Sequence, residues 1–158
     1  MNGHCRGPGS SSQGPGTCRT GRTGRATRPR GPQGPGGPGV LAGVVRFVDA
    51  SETDGFVGAA GQANLEPTAD AAGTPLPDDH HVGRLRVRVG ERAPNVTVTI
   101  VRNGTATALS CTTDATGTCA APAGSPIAFA AGDTIAAEVQ HPAGTPLRDV
   151  RWTTDLEP

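Results

Sequence analysis

The chain has 158 residues, with fourteen arginines, no lysine, fourteen acids, 24 glycines, 15 prolines and only 3% aromatics. A sequence so poor in bulky side chains excludes a large multidomain core, and no apolar run is long enough to span a bilayer. The formal neutrality of the whole is misleading, because charge and composition change together at about Gly39.

Residues 1 to 39 hold six arginines and no acid among Gly, Pro, Ser and Thr. Such a segment buries too little apolar area to offset its ordering entropy. Gly31-Pro-Gln, Gly34-Pro-Gly and Gly37-Pro-Gly are three Gly-X-Y triplets in register, and Gly21-Arg-Thr with Gly24-Arg-Ala adds two. Glycine at every third position is what the crowded axis of a triple helix demands, and the last three triplets would span roughly 28 Å at about 3.1 Å per residue. Thr27-Arg-Pro-Arg30 and the out-of-frame Gly7-Pro-Gly and Gly14-Pro-Gly break the phase. The tail of an isolated chain therefore reads as a disordered Gly/Pro/Arg linker, and collagen-like winding is favoured only if three heads hold the chain ends together. Its arginines, without aromatics to stack on bases, do not predict specific nucleic-acid binding. The spacing of Cys5 and Cys18 leaves both free thiols and intermolecular pairing open. The N-terminus lacks the apolar core of a secretory signal.

From Val40 to Pro158 eight arginines stand against fourteen acids. A head of this length buries roughly two thirds of its unfolded surface, enough for one small domain. With few large aromatics beyond Phe47, Phe56, Phe129 and Trp152, its core reads as thin, and oligomerisation is the expected remedy. The all-arginine base set reads first as the coding bias of a GC-rich genome.

Val44, Phe47 and Val48 predict a first strand entered directly from the last triplet. Phe56-Val57 predicts a short second one, and the Gly/Ala-rich run to Pro77 reads as loops. Gly83-Arg-Leu-Arg-Val-Arg-Val89 alternates without fault, turning Leu85, Val87 and Val89 inward and Arg84, Arg86 and Arg88 outward. Three like charges on one strand face repel, so the row asks for cross-strand acids, for solvent or for an anionic ligand.

Val96 to Cys111 is the firmest stretch. Val96, Val98 and Ile100 point to one face, Thr97 and Thr99 to the other, and Asn103-Gly104 supplies the two positive-φ residues of a type I′ hairpin. Cys111 to Cys119 reads as a second hairpin around Asp114 to Gly117, in which symmetric pairing sets Cys111 opposite Cys119 for a disulfide. Ile127 and Phe129 form a short strand, Ala131-Gly-Asp133 a turn, and Ile135, Ala137 and Val139 the next inward set. Pro142 to Pro146 turns the chain into a last strand with Val150, Trp152, Thr154 and Leu156 inward and Asp149, Arg151, Thr153 and Asp155 outward. The expected class is all-β, an antiparallel β-sandwich of about 7 to 10 strands.

Leu85-Arg-Val-Arg-Val, Val96-Thr-Val-Thr, Arg102-Asn-Gly-Thr-Ala-Thr-Ala-Leu-Ser-Cys111, Cys119, Ala130-Ala-Gly-Asp-Thr-Ile135 and Leu147-Arg-Asp-Val-Arg-Trp152 follow one another in an order that resembles the C-terminal head of bacterial and phage collagen-like proteins. The hair-forming exosporium glycoprotein of spore-forming bacilli belongs to that family. The resemblance covers about Gly83 to Leu156. It implies a jelly-roll sandwich similar to complement C1q and tumour necrosis factor heads, a tight trimer on a collagen stalk, and no catalytic residues. The shortened, out-of-phase triplets depart from the family and argue against an extended filament.

Other chemistry is thinly supplied. Asp78-Asp79-His80-His81 is the one cluster with metal-ligand chemistry, and His80 and His81 are weak metal candidates because strand neighbours face opposite ways. It reads as a solvated loop. His141 is isolated and reads as a surface residue. No nucleophile elbow surrounds Ser110, no Cys/His pair is spaced for catalysis, and the glycine runs lack a nucleotide loop's Lys-Ser/Thr. Asn95-Val-Thr97 and Asn103-Gly-Thr105 match the glycosylation sequon, and neither is expected to be modified. The expectation is a non-enzymatic head without cofactors, a homotrimer at a spore, cell or virion surface. The other reading is a soluble lectin-like or receptor-binding head that takes a glycan or surface protein on loops Glu52 to Gly61 and Pro77 to His81.

Overall fold

The computed structural model describes residues 39 to 121, 124 and 126 to 158. The tail, with its triplets, Cys5 and Cys18, lies outside these residues. The elements are β1 (Gly39–Val48), β2 (Asp54–Val57), α1 (Ala69–Ala72), β3 (Thr74–Pro75), β4 (His80–Arg88), β5 (Thr97–Arg102), β6 (Thr105–Thr112), β7 (Thr118–Ala120), β8 (Ile127–Phe129), β9 (Thr134–Gln140) and β10 (Leu147–Glu157).

One sheet runs β1-β10-β4-β7 with β8 also on β4; the other runs β2-β9-β5-β6 with β3 also on β9, and every pairing is antiparallel. β2 and β3 line one edge of β9, and β7 and β8 one edge of β4, so each pair is a single strand interrupted by a loop. Eight strands then remain in two sheets of four, and the chain passes between them along the double Greek-key path of a jelly roll. The all-β sandwich read from the strand spacing is the observed class.

Local chemistry explains most elements. Asn103 (φ 48°) and Gly104 (φ 76°) both take the left-handed conformation that the two-residue turn between β5 and β6 requires. Gly132 (φ 87°) and Gly144 (φ 85°) close the turns before β9 and β10. Leu85, Val87 and Val89 are buried while Arg84, Arg86 and Arg88 are exposed, as the alternation requires. The Gly/Ala-rich run contains more than loop: Thr68 caps the single turn of α1, its hydroxyl accepting from the Ala71 N–H at 3.3 Å.

Between the sheets lie Trp152, Leu85, Ile100, Ile135, Leu147 and a set of valines, all essentially inaccessible to solvent. Small residues let the core close within one chain. Val40, at 68% exposure, is the exposed large hydrophobic among the described residues, so the expected thin core leaves no broad apolar sheet face uncovered. Phe47 and Phe56 lie half-buried outside the core, which leaves the aromatic interior to Trp152 and Phe129.

Two expectations are corrected. β6 and β7 do not form a hairpin: β6 pairs with β5 in one sheet and β7 with β4 in the other. The Asp114 to Gly117 turn exists, with Gly117 at φ 72° and its N–H on the Asp114 carbonyl at 2.9 Å, but it carries the chain across the sandwich. His141 is not on the surface. It is 6% exposed, with Nε2 lacking a partner among the described residues.

Gly43 faces the Trp152 indole, and a Cβ there would collide with both the indole nitrogen and the Gly58 carbonyl. Gly43→Ala is expected to cost about 1–3 kcal/mol of stability by urea unfolding. Gly83→Ala, where a Cβ meets nothing within 4 Å, should stay within about 0.5 kcal/mol of wild type.

Candidate functional site

The outward residues of β4 and β10 make the most strongly charged surface of the head. Arg88 stands directly across from Arg151, and Arg86 from Thr153. Like charges at directly opposite positions destabilise an antiparallel pair. Farther along, the register shifts between Thr153 and Asp155, so that Gly83 faces Asp155 while Thr154 is opposed by two residues of β4. This is a β-bulge, with Arg84 at φ 51°. Thr154 fills the gap from inside: it is buried, and its hydroxyl donates to the Gly83 carbonyl at 2.6 Å.

The bulge brings one acid within reach of two arginines. Asp155 lies 3.7 Å from Arg84 and 3.6 Å from Arg86. Arg151 has a weaker partner in Asp149 at 3.9 Å, held at φ 49° where β10 turns both Leu147 and Val150 inward. No carboxylate pairs with Arg88 or Arg46 among the described residues, which include every acid of the chain. A further ion pair joins Arg148 to Glu91 at 3.1 Å. There Arg148 covers the Phe47 ring at 5.4 Å from its centroid.

Beside this surface a cleft of about 320 Å³ is lined by Ala42, Val44 and Arg46 of β1, Arg151 and Trp152 of β10, and the Ala60-Gly61 loop. That loop is bonded along the edge of β1: Gln62 donates its N–H to the Val44 carbonyl at 2.7 Å, and its carbonyl accepts from Arg46 N–H at 3.1 Å. Of the two loops expected to meet a ligand, Glu52 to Gly61 thus borders the cleft. The other, Pro77 to His81, borders a separate groove of about 370 Å³ with Arg102, Phe129 and Pro158.

In that groove the four-residue Asp78 to His81 run is not all loop. His80 and His81 open β4, opposite Phe129 and Ala128, and as strand neighbours they face opposite ways. Asp79 is occupied structurally, accepting the Ala131 N–H at 2.8 Å. Among the described residues no group of three or more His, Cys, Asp or Glu is placed to hold a metal ion, and no helix is long and apolar enough to cross a membrane. Nearby, Asn103 does more than turn the chain. Its Nδ2 donates to Asp133 at 2.6 Å and its Oδ1 accepts the Thr134 N–H at 2.8 Å, tying the β5-β6 hairpin to the start of β9.

Cys111 and Cys119 are joined by a disulfide, with Cα atoms 5.9 Å apart. Because β6 and β7 belong to different sheets, the bond staples the sandwich faces together. It also anchors β7, whose Thr118 and Ala120 flank Arg88 and Arg86. The alternation of β4 revealed the arginines; the shared use of Asp155 and the opposition of Arg88 and Arg151 depend on the β4-β10 register. No protein-family model, no curated protein and no solved structure matches the chain.

The Asn103 hydrogen bond, followed by that from the Ala130 N–H, holds the Asp133 carboxyl below the usual aspartate range. A depressed folded value stabilises the native state above the unfolded pKa of about 3.9 and loses that contribution as pH falls through the folded value. The melting-temperature gap between wild type and Asp133→Asn is therefore expected to be full at neutral pH and to narrow below about pH 4. Cys111→Ser with Cys119→Ser should cost about 2–3 kcal/mol, the loop-closure value for so short a span, measured by urea unfolding against the oxidised wild type.

Proposed function

We propose that this chain is a non-enzymatic head for assembly and attachment: a homotrimer on its short collagen-like neck, displayed on a spore, cell or virion surface. The observation that carries the reading is the outward column Val40, Ala42 and Val44 on edge strand β1. It begins at the residue after the final Gly37-Pro-Gly triplet, and it includes the one large hydrophobic side chain exposed among the described residues. Three columns brought together would bury their apolar surface where three necks converge. The family resemblance and the jelly-roll path support the same arrangement. Holding three chain ends close raises their effective concentration, which favours winding of even a few triplets, and three heads strengthen weak attachment without any new contact.

The second reading, a soluble lectin-like or receptor-binding head, is favoured by the cleft between β1, β10 and Ala60-Gly61. Light scattering of the full chain separates the two. The trimer reading expects three times the 15.8 kDa chain mass at micromolar concentration, falling to the monomer mass in Val40→Asp/Val44→Asp. A monomeric wild type overturns it.

A further inference from the structure

We propose that the outer face of β4 and β10 binds a linear acidic polysaccharide through Arg86, Arg88 and Arg151, with Arg46 at the margin. This goes beyond the assembly reading and does not rest on it, because a single head carries the whole face.

The first argument is charge. The head holds fourteen acids and eight arginines, yet on this face Arg46, Arg84, Arg86, Arg88 and Arg151 meet only Asp149 and Asp155. An acidic protein that concentrates its cations on one sheet face has a complement for a polyanion there and repels it elsewhere. The second argument is the Arg88–Arg151 opposition. Two arginines occupy directly opposite positions on neighbouring strands, with Asp149 paired to Arg151 and no carboxylate paired to Arg88. The head itself gains nothing from this pair, whereas an anionic group between the two would be attracted by both.

The third argument is form. Arg86 and Arg88 are two residues apart on a strand, about 6.7 Å, and Arg151 is one strand over, about 4.8 Å. The side chains of Arg86 and Arg151 are 56% and 65% exposed. Such a grid offers planar forks to successive carboxylate or sulfate groups, which arginine holds in bidentate fashion. Nucleic acid fits less well: bases need exposed aromatic platforms, whereas Trp152 is buried and the Phe47 ring is covered by Arg148.

The test uses the full-length chain, so that the basic tail is constant, with polygalacturonate as probe and titration calorimetry at two salt concentrations. Wild type should bind, more weakly at high salt. Arg88→Gln/Arg151→Gln should lose about a hundredfold or more in affinity, the value of two charge-assisted bonds, with a flatter salt dependence and no loss of melting temperature. Arg102→Gln, on the other groove, should bind as wild type. The proposal is overturned if the double variant binds as wild type, which would assign binding to the tail. It is equally overturned if Arg102→Gln weakens binding as much, if neutral dextran binds as well, or if a DNA duplex binds more tightly than the polysaccharide.

Discussion

The pairing of β10 with β4 is the constraint on which the rest of this head depends. These strands occupy the middle of their sheet, and their inward residues, Trp152 and Val150 on one and Leu85 and Val87 on the other, form much of the core. Because side chains alternate with a period of two, the register that buries them also decides which arginines face one another outside. A slip of one residue would carry the arginines inward and the core outward. At the bulge that sets Arg84 and Leu85 against Thr154 the β4-β10 register shifts, and buried Thr154 fills it.

Around that ladder the sandwich is built from modest pieces. Burial of each valine, leucine or isoleucine contributes about 1.5–3 kcal/mol, and here many small apolar residues replace a few large ones. Gly43 makes room for the single tryptophan. Buried polar side chains are used to join strands: the Thr113 hydroxyl donates to the Ala93 carbonyl at 2.8 Å and accepts the Val96 N–H at 3.0 Å. The disulfide acts at the same level, linking the two sheets covalently, beside the hydrogen bond that Arg102 of β5 donates to the Ala128 carbonyl of β8 at 2.6 Å. The free edge of β1 is partly closed by the loop at Gln62 and Ala63, which limits strand addition by other chains.

The distribution of charge follows from this architecture. Acids occupy mainly turns and loops, where Asp49, Asp114 and Asp133 accept local hydrogen bonds and are held below the usual aspartate range. Arginines stand mainly on the strands of one sheet. Cations are therefore displayed mainly on strands, while several of the acids shape turns.

Strands and turns were legible in the amino-acid order because both are local. Alternation at Gly83 to Val89 and Val96 to Ile100 needs only neighbouring residues, and positive φ at Asn103-Gly104 and Gly117 needs only residues that tolerate it. The outward arginines were legible for the same reason. The placement of β6 and β7 in different sheets was not, since the Asp114 to Gly117 turn looks alike whether it closes a hairpin or crosses a sandwich. Nor were the burial of His141, the inter-sheet position of the Cys111–Cys119 bond, the sharing of Asp155 by two arginines, or the meeting of Arg88 with Arg151. Each depends on how the strands are arranged in space, and only the three-dimensional pairing, with its register shifts on β10-β4 and β5-β6, decides which residues stand opposite one another.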